Sequence, residues 1–141
     1  MPADDAPKST RTIRSYHAHL YFRDDAERTQ ALAVRAWIDA RFSVQLGRVH
    51  DVTVGPHRAP MYQVAFEREL FATFVPWLAL NRAGLSVLVH PNTGRARDDH
   101  TAHALWLGEP LGVRDEVLSN EPGDDTGSAI VPNTHPVHTD D

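Results

Sequence analysis

The 141-residue chain contains no cysteine, which excludes disulfides and thiolate metal ligands. It also lacks an excess of basic residues, since 14 Lys and Arg stand against 19 Asp and Glu and the formal net charge is -5. An acidic chain without a basic stripe is a poor candidate for binding nucleic acid or an anionic membrane. No apolar run approaches the roughly 18 residues that a membrane span needs, and residues 1–12 carry no apolar signal core. We therefore predict a cytoplasmic protein that binds neither nucleic acid nor membrane.

Several familiar catalytic motifs are missing as well. The sequence has no glycine-rich phosphate loop, no Gly-x-Ser-x-Gly nucleophile elbow and no His-Glu-x-x-His metal motif. What it has is histidine: seven of its nine histidines lie between residues 17 and 103. Histidine titrates nearest neutral pH and is the commonest metal ligand. The composition therefore favours a divalent metal site built from imidazoles, or acid–base chemistry by imidazole.

The pattern of apolar residues predicts one domain with an α+β fold. Residues 1–11 and 119–141 are polar and predict flexible tails, because they cannot bury enough surface to offset the entropy of ordering. The domain between them covers residues 12–118. Its predicted elements are strands at 13–22, 44–54, 61–66 and 85–90, helices at about 24–42 and 67–81, and a strand or covering arm at 94–111. Pro76 indicates a break in the second helix or the start of a further short one.

This β-α-β-β-α-β order is that of the ferredoxin-like sandwich, an antiparallel sheet with helices on one face. Its first strand lies between the third and the fourth, and the face without helices needs cover, for which a second subunit is a common solution. We therefore predict a homodimer. Alternation along the first strand places His17 and His19 on the helix-free face, about 6.5–7 Å apart, close enough to share one metal ion. Antiparallel pairing predicts that His90 lies near His17, and that His57 lies near His19 or Tyr21.

Four motifs, in this order and spacing, resemble the DOPA 4,5-dioxygenase family. They are Tyr-His-Ala-His-Leu-Tyr-Phe at 16–22, Val-Gly-Pro-His at 54–57, Asn-Arg-Ala-Gly-Leu-Ser-Val-Leu-Val-His-Pro at 81–91, and Asp-His-Thr at 99–101 with Trp-Leu-Gly at 106–108. The resemblance implies a dimeric ferredoxin-like fold and extradiol cleavage of a catechol, with L-DOPA as substrate, O2 as co-substrate and non-haem Fe(II) as cofactor. It does not identify the ligands. No matched motif contains the glutamate of a two-histidine, one-carboxylate triad, so the third ligand is an imidazole or Asp99.

The residue types suit this chemistry, and we assign roles to them as hypotheses. We predict His17, His19 and His90 as ligands of Fe(II), or of Zn or another divalent metal in the purified protein. We predict His57 and His100 as acid–base groups, because an imidazole pKa lies near the working pH. We predict that three residues contact the substrate. Arg58 pairs with the carboxylate of the substrate, and Tyr21 and Tyr62 line the slot for its aromatic ring.

Two other functions are compatible with the same residues. In one, the chain is a dimeric ferredoxin-like module that binds a metal or a small molecule and has no oxygenase activity. In the other, the imidazoles act as acid and base without a metal. A reconstitution assay with iron and a catechol separates the first alternative from the dioxygenase, and treatment with a chelator separates the second.

Overall fold

The computed structural model describes residues 6–123 and 129–138, which fold around a five-stranded antiparallel sheet. The strands are β1 (Ser15–Tyr21), β2 (Gln45–Leu46), β3 (Met61–Glu67), β4 (Val87–Asn92) and β5 (Leu105–Leu107). The helices are α1 (Asp25–Arg41), α2 (Phe71–Asn81) and the short α3 (Ala96–His100). The α+β class and the antiparallel sheet are therefore as predicted.

Strand β1 lies at the centre of this sheet. The strand order is β2-β3-β1-β4-β5, so β1 pairs with β3 along one edge and with β4 along the other. His17 stands opposite His90 of β4, and His19 stands opposite Leu88. The predicted position of the first strand and the predicted neighbourhood of His17 and His90 are confirmed.

One face of the sheet forms the main core with α1 and α2. Helix α1 begins after Asp24, whose carboxylate caps it by accepting a hydrogen bond from the backbone N–H of Glu27 at 2.8 Å. The residues buried between helices and sheet include Ala18, Leu20, Phe22, Ala31, Val34, Ile38, Phe74 and Leu78. Each large apolar side chain among them contributes about 1.5–3 kcal/mol by leaving water. Side chains alternate along β1, and those of Ala18 and Leu20 face this core. His17 and His19 therefore face the other side of the sheet.

That other side is partly covered by the chain itself. A second apolar cluster on it contains Tyr21, Ala59, Met61, Leu88 and Val113, with Val54, Ala104, Trp106 and Leu111 packed against them. Helix α3 also stands on this side, because the ring of its last residue, His100, lies 3.9 Å from that of His90. Residues 94–111 thus form both the predicted strand and the predicted arm. The prediction that all helices lie on one face holds for α1 and α2 and is wrong for α3.

The second strand is much shorter than the predicted range 44–54. Leu46 pairs with Val64, whereas the next β-bridge to β3 is an isolated one between His50 and Met61. Four steps along the chain, from 46 to 50, therefore oppose three steps in β3, from 64 to 61. The extra residue interrupts the ladder in the manner of a β-bulge, and residues 51–53 are exposed.

Pro76 does not break the second helix, contrary to one of our predictions. Helix α2 runs without interruption through it. Pro76 is exposed, and so is Ala72, whose carbonyl loses its helical donor to the proline ring. Because both residues face solvent, water can replace the missing hydrogen bond.

Part of the C-terminal segment that we predicted as a flexible tail has defined contacts. Thr134 is only 2% exposed; its hydroxyl accepts a hydrogen bond from the backbone N–H of Val44 at 2.7 Å and donates one to the carbonyl of Phe42. Our expectations for residues 1–5, 124–128 and 139–141 fall outside the described residues. Within the described part of the chain, no helix is long and apolar enough to cross a bilayer.

Candidate metal centre and active site

Three imidazoles meet on the sheet face opposite α1 and α2. His17 and His19 come from β1, and His90 comes from the neighbouring strand β4. One ring nitrogen of each lies within 4.8 Å of those of the other two. His19 and His90 are buried, and His17 is half-buried. The three residues predicted as metal ligands therefore form a group that could hold a metal ion.

The closest nitrogen pair has the spacing of two ligands on one ion. Nε2 of His19 lies 3.1 Å from Nε2 of His90. Two imidazole nitrogens that are each about 2.1 Å from a metal lie about 3.0–3.4 Å apart when they are adjacent ligands. His90 donates its Nδ1 proton to the carbonyl of Pro91 at 3.0 Å, so its Nε2 carries the lone pair that a metal needs. Without a metal, His19 donates through Nε2 to this lone pair, and among the described residues its buried Nδ1 has no hydrogen-bond partner. The donor set fits a divalent cation.

Two further imidazoles complete a cluster of five. The ring centroid of His57 lies 4.2 Å from that of His19, and the ring centroid of His100 lies 3.9 Å from that of His90. The rings of His57 and His100 are 6.3 Å apart. The predicted neighbourhood of His57 and His19 is confirmed. Neither His57 nor His100 belongs to the group of three possible ligands among the described residues, so both are available for other roles.

Burial favours the neutral form of His19, His57, His90 and His100. Loss of hydration lowers the pKa of His19 and His90 well below the ordinary value, and the charges of neighbouring histidines add to this effect. The same causes lower the pKa of His57 to about 4. Burial also lowers the pKa of His100, against smaller opposing effects of its hydrogen bond to Ala96 and of the nearby Asp99. Neutral imidazole is the form that binds metals and accepts protons.

His57 is held in place by the last part of the domain. It forms an isolated β-bridge with Val113, and its backbone N–H donates to the carbonyl of Val54 at 3.1 Å. The backbone N–H of Arg114 donates to the carbonyl of Pro56 at 2.8 Å. A loop residue is thus fixed next to the sheet by a segment that lies far away in the sequence.

The predicted substrate-binding residues do not all lie at the cluster. The hydroxyl of Tyr21 lies 2.7 Å from Nδ1 of His57, so this residue is part of the site. Tyr62 is buried on the opposite face, where its hydroxyl donates to the carbonyl of Ala31 at 2.8 Å. Its register explains the error, because Tyr62 pairs with the core residue Leu20. Arg58 is exposed and donates to the carbonyl of Val113 at 3.3 Å.

Asp99, the alternative to an imidazole as third ligand, has another function in the fold. Its carboxylate is fully buried and accepts hydrogen bonds from the backbone N–H and the hydroxyl of Thr93, at 2.8 and 2.7 Å. This pair ties α3 to the end of β4 and so places His100 over His90. The tautomer of His100 is set by the carbonyl of Ala96, to which Nδ1 donates at 2.7 Å, rather than by the adjacent carboxylate.

The sequence did not single out Trp106 as a residue of the site. Its ring stacks on that of Tyr21, with 5.9 Å between the centroids. A tryptophan in the strand that we predicted to cover the sheet was the available signal. A separate groove of about 420 Å³ lies between the N-terminal segment and residues 102–105, and His103 lines it. None of the five clustered histidines lines that groove.

The chain is similar in sequence to a known protein family. The model of the Dopa 4,5-dioxygenase family matches residues 16–117, a range that contains all five clustered histidines. The chain belongs to this family. The resemblance seen in the four sequence motifs is thereby confirmed.

Three relatives illustrate the family relationship. A protein of Amanita muscaria named DOPA 4,5-dioxygenase is 36% identical over 104 residues, which cover 68% of this chain and 46% of the relative. An uncharacterized 21.2 kDa protein of Botryotinia fuckeliana is 35% identical over 108 residues, covering 69% of this chain and 59% of the relative. The chain thus spans about half the length of these curated relatives. A solved structure from Nostoc punctiforme, assigned as a dioxygenase, is 50% identical with a TM-score of 0.77 and covers 79% of this chain and 96% of its own.

Proposed function

We propose that this member of the Dopa 4,5-dioxygenase family is an extradiol dioxygenase that opens the ring of L-DOPA or a related catechol with O2 and non-haem Fe(II). The observation that carries the proposal is the convergence of five histidines from four segments on one sheet face. Membership of the family supports an oxygenase, and the name of the Amanita relative supports DOPA as the substrate.

In this proposal His17, His19 and His90 hold the metal. A bound divalent ion supplies Lewis acidity that lowers the pKa of the catechol hydroxyls, and iron in addition supplies redox chemistry toward O2. Three imidazoles without a carboxylate depart from the usual donor set of such iron enzymes and also suit zinc. The protein's contribution is to favour the neutral form of His19 and His90 by burial, and to hold the three rings close together through the register of β1 and β4.

Proton transfer falls to the other two histidines. His100 donates through Nδ1 to Ala96, so its Nε2 has a free lone pair that can accept a proton from a catechol hydroxyl. His57 lies on the other side of His19, held at Nδ1 by Tyr21. Two imidazoles with ring centroids 6.3 Å apart can thus handle the protons of two neighbouring hydroxyl groups.

The surroundings of the cluster suit an aromatic ring. Tyr21, Leu88 and Trp106 form an apolar wall on the same face of the sheet. Arg58 follows His57 directly and has an exposed guanidinium, which could pair with the carboxylate of an amino acid substrate. A homodimer and a cytoplasmic location remain predictions from the sequence.

Reconstitution with iron tests the proposal. Metal-stripped protein is loaded anaerobically with one equivalent of Fe(II), mixed with L-DOPA and exposed to air. We expect a yellow semialdehyde product and consumption of one O2 per ring opened, and the mass and NMR spectrum of the product give the bond that was cleaved. The zinc-loaded protein is the matched control and should give no product.

The alternatives predict different results. Stoichiometric iron without any product from L-DOPA or simple catechols would refute the dioxygenase and favour a binding module. Product formation that a chelator leaves untouched would favour imidazole catalysis without a metal.

A further inference from the structure

We propose that Tyr21 is a positioning residue that fixes the tautomer of His57, so that His57 offers a proton at Nε2 to an oxygen atom bound in the site. From the sequence we expected Tyr21 to line a slot for the substrate ring. The structure instead places its hydroxyl 2.7 Å from Nδ1 of His57, between two buried side chains. This inference rests on the proposed function only for its consequence in catalysis, because the tautomer itself can be measured without turnover.

The direction of this hydrogen bond follows from a count of protons. A phenol has one hydrogen, and a neutral imidazole has one N–H that either ring nitrogen can carry. Among the described residues, His57 is the only hydrogen-bond partner of the Tyr21 hydroxyl, and Tyr21 is only 1% exposed. If Nδ1 of His57 donated, the phenolic hydrogen would be buried without an acceptor, which is unfavourable. The phenol therefore donates, Nδ1 accepts, and the imidazole hydrogen lies on Nε2.

In two other histidines of the cluster, Nδ1 donates a hydrogen bond instead of accepting one. His90 donates through Nδ1 to the carbonyl of Pro91, and His100 donates through Nδ1 to the carbonyl of Ala96. A carbonyl can only accept, so both rings carry their hydrogen on Nδ1 and keep a lone pair on Nε2. His57 is anchored by a donor instead.

This difference divides the roles that we first gave jointly to His57 and His100. With a lone pair on Nε2, His100 is suited to accept a proton from a substrate hydroxyl. With a hydrogen on Nε2, His57 is suited to donate to an oxygen that carries negative charge. Within the described chain no hydrogen bond engages Nε2 of His57, so it is available to a ligand. The phenol of Tyr21 is itself held by its stacking on Trp106.

Nitrogen-15 NMR of the histidine rings tests the tautomer directly. The wild-type protein, metal-free and zinc-loaded, is labelled in its histidines and measured at about pH 8, where free histidine is neutral. Signals of His57 are assigned by their loss in His57→Gln. We expect an N–H shift for Nε2 and a lone-pair shift for Nδ1 of His57, and the reverse for His100. A hydrogen on Nδ1 of His57 would overturn the proposal, whether or not the protein turns over a catechol.

A pair of tyrosine variants then tests the role of the phenol. In Tyr21→Phe the His57 signals should move toward the other tautomer or toward a mixture of both. The matched control is Tyr62→Phe, which removes an equally buried hydroxyl that donates to a carbonyl on the opposite face of the sheet. It should leave the His57 signals unchanged. Unchanged signals in Tyr21→Phe would show that something other than the phenol fixes the ring.

Kinetics of the iron-loaded enzyme give the catalytic consequence. We expect Tyr21→Phe to lower kcat about 10- to 100-fold, the usual cost of losing a partner that orients a functional histidine. KM and the iron content should stay close to those of the wild type. A fall in iron content to match kcat would instead assign Tyr21 to support of the metal site, against our proposal. If neither enzyme forms product while the NMR result holds, the proposed function fails and the tautomer assignment stands.

Discussion

Acidification should destabilise the metal-free protein through its buried histidines. In the folded chain, burial lowers the pKa of His19, His57, His90 and His100. In the unfolded chain the same groups titrate at about 6.5. As the pH falls below about 6.5, the unfolded chain binds protons that the folded chain does not, so the free energy of unfolding decreases. The loss continues until the folded-state pKa is reached.

The size of this effect can be worked out for His57. A fall of its pKa from 6.5 to about 4 corresponds to about 3 kcal/mol in full, of which about 2 kcal/mol is lost between about pH 7 and pH 5. His19, His90 and His100 act in the same direction. Since domains of this size are usually stable by about 5–15 kcal/mol, the metal-free protein should lose a large part of its stability over this interval.

Urea unfolding at the two pH values, followed by the fluorescence of the three tryptophans, measures the loss. The variant His57→Gln cannot titrate at this position and should lose about 2 kcal/mol less than the parent protein. The matched control is His135→Gln, at an exposed residue of the C-terminal segment, which should behave as the parent does. Equal losses in His57→Gln and the parent would refute the argument that burial holds this imidazole neutral.

Three further predictions concern single side chains. His19→Ala should lose bound metal and activity together, whereas His57→Ala should keep its metal and turn over about 10²–10⁴-fold more slowly. Metal analysis and kinetics of both variants check this, and equal metal loss in the two would contradict our division of roles. Asp99→Ala should lower the free energy of unfolding, measured in urea, by about 2–4 kcal/mol, because the two hydrogen bonds from Thr93 to a buried carboxylate are lost. Thr134→Val should lower the free energy of unfolding by about 1–2 kcal/mol in the same measurement, because the hydrogen bond from the backbone N–H of Val44 is lost. An unchanged free energy of unfolding would show that the C-terminal segment adds nothing to stability.

The core of the fold and of the site could be predicted because both depend on strand alternation. Once β1 is recognised, its period of two places His17 and His19 on one face and Leu20 on the other. Antiparallel pairing then brings His90 next to His17. These inferences need only the order of the elements and the direction of the strands.

The rest depends on contacts between distant segments, which periodicity does not reveal. Tyr62 was predicted at the site because its residue type suits an aromatic ligand, but its register turns it into the main core. Asp99 was a possible ligand by residue type, and only the position of Thr93 shows that its carboxylate is already satisfied. The burial of Thr134 arises from a segment whose composition gives no sign of it.

The pairing of β1 with β4 also restricts how this protein can change in evolution. A strand that slips by one residue turns every side chain to the other face. An insertion or deletion of a single residue within β1 would therefore move His17 and His19 among the buried side chains beneath the helices and bring Leu20 out in their place. Substitutions can change the histidines one at a time. The number of residues in β1, however, is constrained both by the histidine site on one face and by the core on the other.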